Sequence, residues 1–127
     1  MSYVPPPDPQ ACYTQVWRQV KQIPYGKVAT YGQIAKLITP PEGIELKDYA
    51  ACASRWVGLA MAASPEDVPW QRVINSQGRI SNRPEAGKQK HRLEQEGVLF
   101  FDGKIDLKQY QWRDPSQQDA PEQGSLF

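Results

Sequence analysis

The sequence predicts a mainly helical α+β domain built around a helix-turn-helix, with short β-hairpins after it. Three observations predict it. Apolar residues recur at helical spacing near the N-terminus and again after Asp48. The second of these stretches is rich in alanine and has two distinct faces. Beyond it, short apolar runs flank the turn sequences Asn75-Ser76-Gln77-Gly78 and Asp102-Gly103.

The elements follow in order. Val4-Pro5-Pro6-Pro7-Asp8-Pro9 reads as an extended, mobile lead, so residues 1–10 are expected to be a flexible tail. Cys12, Val16, Val20 and Ile23 mark one face of a helix that Pro24-Tyr25-Gly26 stops. Thr30 and Gln33 have capping-box spacing and open a short helix to Leu37 or Ile38. Thr39-Pro40-Pro41-Glu42-Gly43 is a loop. From Asp48, Ala53, Trp56, Val57, Ala60 and Met61 form the stripe expected to be buried. Ala51, Ser54, Arg55, Gly58 and Ala62 lie largely on the other side, a small flat face with one long cation. Ser64-Pro65 ends this helix. A short helix, a connection and a second helix is the order of a helix-turn-helix.

Val73-Ile74 and Arg79-Ile80 are expected to pair as a hairpin. Glu85 to Glu96 reads as a helix with Gly97 just past its end. Val98–Phe101 and Lys104–Leu107 form a second hairpin, and Tyr110 and Trp112 pack back on the core. After Arg113 the chain is polar, and residues 114–127 are expected to be a flexible acidic tail. The folded domain is therefore placed at 11–113.

A chain of 127 residues is one domain's worth, and 39% hydrophobic residues suffice for a single core. No apolar run is long enough to span a membrane, and the N-terminus lacks the pattern of a signal peptide. Cys12 and Cys52 make no metal or disulfide pattern, so no metal or cofactor is expected and a reducing cytoplasm is the simplest home. The net charge is +1, but Asp8, Asp114, Asp119 and Glu122 all lie in the two tails, which hold no Lys or Arg. Setting those four acids aside leaves the central section at net +5. That permits phosphate contacts with modest electrostatic affinity.

Four fragments carry a resemblance. They are Ile23-Pro24-Tyr25-Gly26-Lys27-Val28-Ala29-Thr30-Tyr31-Gly32-Gln33-Ile34-Ala35, Ala53-Ser54-Arg55-Trp56-Val57-Gly58, the segment from Pro69 to Ser81, and Leu93-Glu94-Gln95-Glu96-Gly97. In this order they resemble the DNA-binding domain of the O6-alkylguanine-DNA alkyltransferases, a winged-helix-like bundle with small strands, over roughly Tyr13 to Trp112. In that family the segment matching Pro69-Trp70-Gln71-Arg72-Val73 reads Pro-Cys-His-Arg-Val, and the cysteine thiolate takes the alkyl group. Trp70 stands in the cysteine's place. An indole has one N–H donor and no thiolate chemistry. Gln71 stands where the histidine base would be, and an amide does not titrate near neutral pH. The chain thus resembles the alkyltransferase-like proteins, in which the transfer chemistry is absent.

The resemblance implies non-enzymatic recognition of O6-alkylguanine in duplex DNA by minor-groove binding and base flipping, with hand-off to nucleotide excision repair by a monomer. Extrusion costs a few kcal/mol, least for a mispaired base. Tyr31, Ala51, Ser54, Arg55 and Gly58 are the expected DNA-binding residues. Arg55 matches the family's finger arginine, which fills the vacated stack, and Tyr31 matches the tyrosine that helps rotate the nucleotide. A pocket framed by Tyr31, Trp70, Gln71, Val73, Asn75, Ser81 and Arg83 would receive the base. Arg72 and Glu96 match structural positions. Taken singly, Arg55 is a surface arginine, Tyr31 a packed helix start and Trp70 a core tryptophan; the motif context favours the functional readings. Cys52 lies on the helix with no histidine placed to activate it, and reads as an inert thiol.

Three positions depart from the family pattern: Gln71 for histidine, Ser64 for asparagine after the helix, and Trp56 where a small residue follows the finger. Two other functions stay open on the residues alone, a residual alkyltransferase and a winged-helix transcription regulator. The scarcity of Asn, Gln and Lys between Ala50 and Ala63 speaks against the regulator. Gln123, Ser125, Leu126 and Phe127 resemble the short motif (Gln-x-Ser/Asp-Leu-Phe) by which bacterial proteins dock on the replication sliding clamp; the alternative is a frayed terminus.

Overall fold

The computed structural model describes residues 6–81 and 84–114. The molecule is mainly helical, with few and short strands. Helix α1 (Pro9–Val20) starts inside the expected tail. The Asp8 carboxylate accepts a hydrogen bond from the Ala11 amide at 3.2 Å, and Pro9 fills the first helical position, where a missing N–H costs nothing. Pro6 is buried as well. Pro9 thus opens a helix, and Pro6 packs against the domain, where the sequence suggested a mobile lead. Cys12, Val16 and Val20 are buried as predicted, but Ile23 reaches the core from beyond the helix. There Gln22 and Ile23 donate to the Gln19 and Val20 carbonyls in tight turns.

Strand β1 (Ala29–Thr30) runs directly into α2 (Tyr31–Leu37). Thr30 and Gln33 make the reciprocal capping box, with Gln33 N–H to Thr30 Oγ1 at 3.0 Å. The irregular segment 38–45 leads to α3 (Leu46–Ala62), which begins two residues before Asp48 and carries no side-chain cap. Its buried face is the predicted stripe with Tyr49 and Cys52 added. Helices α1, α2 and α3 pack together around the larger of two cores. Trp56 belongs to that core and meets Tyr49 edge-on at 5.6 Å, so its bulk points away from the exposed face of α3.

A single 3-10 turn, Trp70–Arg72, precedes β2 (Val73–Ile74). β2 pairs in parallel with β1, with Ala29 opposite Val73 and Thr30 opposite Ile74. The hairpin expected between Val73-Ile74 and Arg79-Ile80 therefore does not form as a ladder. Only its turn is present: the Asn75 side chain accepts from the Gln77 and Arg79 amides at 2.9 and 3.0 Å. Within that turn, the Gly78 carbonyl accepts from the Ile105 amide.

Helix α4 (Ala86–Gln95) ends as the sequence predicts. Gly97, at φ 90°, donates to the Glu94 carbonyl, and Val98 donates to Leu93. This is a Schellman motif whose Leu93–Val98 pair is buried in the smaller core. Strands β3 (Phe100–Phe101) and β4 (Lys104–Ile105) form the second hairpin. Asp102 and Gly103 both take positive φ, the requirement of a type I′ turn. Helix α5 (Leu107–Tyr110) starts where the sequence had the strand ending.

The body also extends past Arg113. Gln33 Nε2 donates to the Trp112 carbonyl and to Asp114 Oδ2, both at 2.7 Å, and Asp114 is buried. The expected tail boundary at 114 thus moves outward by at least this residue, because the capping glutamine of α2 has a second job holding the chain's return.

Candidate functional site

Helix α3 presents the predicted small face. Ala51, Ser54 and Arg55 are exposed, and Gly58 is half-buried. A Cβ built on Gly58 would meet nothing within 4 Å, so this strip of helix lies open. The start of α2 adjoins it: a Cβ on Gly32 would lie 3.8 Å from Ser54 Oγ. The hydroxyls of Tyr31 and Ser81 are 3.1 Å apart and share a hydrogen bond. Tyr31, Ser54 and Ser81, distant in sequence, are thereby gathered along one edge.

Further along α3, Ala62 continues the same face into the wall of a cleft of about 510 Å³. Half-buried Trp70 lines the same cleft, together with Met61, Ser64 and Pro65 from the end of α3 and Glu85, Lys88 and Arg92 from α4 and its start. The Arg92 guanidinium sits 5.2 Å from the centre of the Trp70 ring. Ser64 Oγ donates to the Ala60 carbonyl at 3.1 Å and so finishes α3 at the rim of the cleft. The cleft has both apolar wall and charged side chains of each sign, and its size falls in the usual range for small-molecule sites.

Gln71 and Val73 are not on the cleft surface. Val73 is fully buried in β2, and Gln71 is only 8% exposed. Gln71 Nε2 donates to Glu96 Oε2 at 2.8 Å. The other Glu96 oxygen accepts from Arg72 Nε at 3.0 Å and from the Gly26 amide at 2.8 Å. Arg72 also donates to the Ile23 carbonyl at 2.9 Å and lies 5.6 Å over the Tyr25 ring. Burial would raise the Glu96 carboxyl, but the hydrogen bonds from Arg72, Gly26 and Gln71 and the charge of Arg72 outweigh it and hold the group below the ordinary glutamate value. One buried carboxylate thus ties the turn before β1 to the turn that carries Trp70.

Asn75 braces the turn after β2, as described above. Arg83, Gln123, Ser125, Leu126 and Phe127 lie outside the described residues. Cys12 and Cys52 are 8% and 3% exposed, and burial pushes the Cys12 thiol above its ordinary value. Among the described residues, no cluster of His, Cys, Asp or Glu is arranged to hold a metal ion.

The family description "6-O-methylguanine DNA methyltransferase, DNA binding domain" matches residues 11–98. Alkyltransferase-like protein 1 of Schizosaccharomyces pombe is 46% identical over 111 residues, covering 80% of this chain and 94% of the relative. This chain is an alkyltransferase-like member of the 6-O-methylguanine DNA methyltransferase family. A Vibrio parahaemolyticus relative named DNA base-flipping protein is 44% identical over 103 residues, covering 78% of this chain and 93% of its own. Among solved structures, S. pombe Atl1 in complex with damaged DNA containing O6-carboxymethylguanine superposes with a TM-score of 0.65 at 40% identity, over 83% of this chain and 97% of that one.

In this alkyltransferase-like chain, the α4 side of the cleft lies outside the pocket that the sequence predicts. Glu85, Lys88 and Arg92 recur at i, i+3 and i+7, the spacing of one helical face, and that spacing was the available signal.

Proposed function

We propose that this protein recognises O6-alkylguanine in duplex DNA without enzymatic chemistry, holding the flipped base for a repair partner. The observation that carries the reading is the continuity of the small face of α3, from Ala51 through Arg55 and Gly58 to Ala62, into the cleft walled by Trp70. Small residues let a helix approach DNA closely. An exposed arginine beside them supplies the wedge that minor-groove benders insert between bases. The cleft at the end of the same face would receive the everted guanine, with the indole as one wall. In this reading α2 and α3 are the helix-turn-helix of a winged-helix-like domain, and Tyr31 crowds the phosphate beside the rotated nucleotide.

Burial of both cysteines supports a non-enzymatic role, since neither thiol is presented at the cleft. A bound, bent lesion left chemically intact requires a second party; nucleotide excision repair is the proposed recipient. The Gln123–Phe127 motif would add docking on a sliding clamp, checked by titrating a peptide of residues 119–127 against the clamp. No binding at high micromolar concentration removes that partner.

The test compares duplexes that differ only by one O6-methylguanine. Tighter binding to the modified duplex, with no alkyl mass added to the protein afterwards, is the expected result. Equal affinity ends the lesion reading, and an alkyl adduct on the protein ends the non-enzymatic one.

A further inference from the structure

Gln89 is fully buried, yet it is an amide in the middle of a helix. Its Nε2 donates to two main-chain carbonyls of another segment, Gln71 at 3.1 Å and Val73 at 2.9 Å. These carbonyls bracket Arg72, at the junction between the Trp70–Arg72 turn and β2. The Gln89 carbonyl oxygen has no hydrogen-bond partner among the described residues. An apolar residue at this place would remove that orphan acceptor, so the amide is there for its two donors. One helical turn on, Arg92 stacks on the Trp70 ring. Helix α4 therefore grips the turn twice, by its backbone through Gln89 and by the indole through Arg92.

We propose that Gln89 is a positioning residue for lesion recognition. It fixes the turn so that the Trp70 ring forms a defined wall of the cleft, and the preference for an alkylated guanine depends on that placement. This inference rests on the lesion-recognition reading above. Gln89 does not line the cleft and acts only through Trp70. Fully buried, it is not part of the exposed Ala51–Gly58 face, so binding to undamaged DNA is not expected to depend on it.

The test uses the full-length chain carrying 5-fluorotryptophan, with the Trp70 fluorine resonance assigned from Trp70→Phe. Gln89→Met keeps the length and removes the donors. The expected result is a shifted or broadened Trp70 resonance and a loss of lesion preference of about tenfold or more, with undamaged-DNA affinity held within about twofold, since a mis-set recognition group costs specificity before it costs docking. Should Gln89→Met fail to fold, Gln89→Asn keeps an amide but draws it back by one methylene from both carbonyls. It is expected to move the Trp70 resonance and weaken the preference together. Leu93→Ala, equally buried on α4, controls for general loss of stability. A folded Gln89 variant whose Trp70 signal shifts while preference persists overturns the proposal. So does loss of preference with the Trp70 signal unmoved, or an equal loss in Leu93→Ala. Wild-type protein without any lesion preference overturns the lesion-recognition reading and this inference with it, whereas a wild-type preference unchanged in Gln89→Met overturns this inference alone.

Discussion

The guanidinium of Arg92 lies over the indole of Trp70, 5.2 Å from the ring centre, although the two residues come from a helix and a 3-10 turn 22 positions apart. The contact pins the indole wall of the cleft to α4. A cation–π pair at a partly exposed site is worth about 1 kcal/mol. Arg92→Met is therefore expected to weaken binding to an O6-methylguanine duplex by about fivefold while leaving undamaged DNA nearly unaffected. Fluorescence anisotropy on the two duplexes measures both numbers. A uniform loss on both would mean that Arg92 acts as a phosphate contact instead.

Gly58 separates stability from binding. It lies inside α3 with open space where a Cβ would go. Gly58→Ala is expected to stabilise the fold by about 1 kcal/mol, through helix propensity alone. Gly58→Leu also favours the helix but raises a large side chain on the face proposed to approach DNA, and is expected to weaken DNA binding by about tenfold or more through obstruction of the groove. Thermal melts and the same anisotropy assay decide it. If Gly58→Leu binds as well as wild type, this face of α3 does not meet DNA.

Glu96 makes stability depend on acid. Its folded carboxyl is held below the ordinary value, so the unfolded chain takes up the proton first as pH falls. Its contribution is fully present above the ordinary glutamate value of about 4.3 and is lost as pH drops from there through the lowered folded value. Glu96→Gln is expected to cost about 3 kcal/mol at neutral pH, by stranding the Arg72 guanidinium, and to flatten the stability profile below pH ~4.3. Urea unfolding at a series of pH values checks both. A Glu96→Gln profile parallel to wild type through the acid range would contradict the assignment.

Gly78 is a backbone requirement. Its φ is +78°, and a Cβ there would stand 2.6 Å from the Ile105 carbonyl oxygen, on the chain that donates to Gly78 at 2.8 Å. Gly78→Ala is expected to destabilise by about 3 kcal/mol or more, combining left-handed strain with a main-chain clash. A melting temperature within experimental error of wild type would show that the turn re-forms freely.

Much of the fold was legible because its signals are local. The Thr30–Gln33 capping box, the buried stripe of α3, the Gly97 stop and the Asp102-Gly103 turn each rest on residues within one or two turns of each other. Pairing between distant segments was not. Val73-Ile74 had an apolar run and a nearby turn, which suggested a hairpin, but its partner is Ala29-Thr30, and nothing in a two-residue strand specifies a partner across the chain. The opening prolines misled in the same way: Pro9 reads as extended chain until Asp8 is recognised as a helix cap.

The candidate site divides along similar lines. The α3 face emerged from helical periodicity plus resemblance, and Trp70 from its motif. The same motif places Gln71 and Val73 in the pocket with Trp70, whereas the structure buries them and gives Gln71 to Glu96. Neighbours in a 3-10 turn point in different directions, so a linear motif does not share one environment. The α4 side chains carry only an ambiguous signal, because charged residues at helical spacing usually mark a solvated face.

The most direct test of lesion recognition is a crystal structure of this protein with a duplex containing one O6-methylguanine. The expected result is the alkylated base rotated out of the helix into the cleft, against Trp70 and between α3 and α4, with Arg55 in the gap it leaves. A modified base still stacked in the duplex, or the indole of Trp70 filling the cleft so that no purine enters, would contradict it.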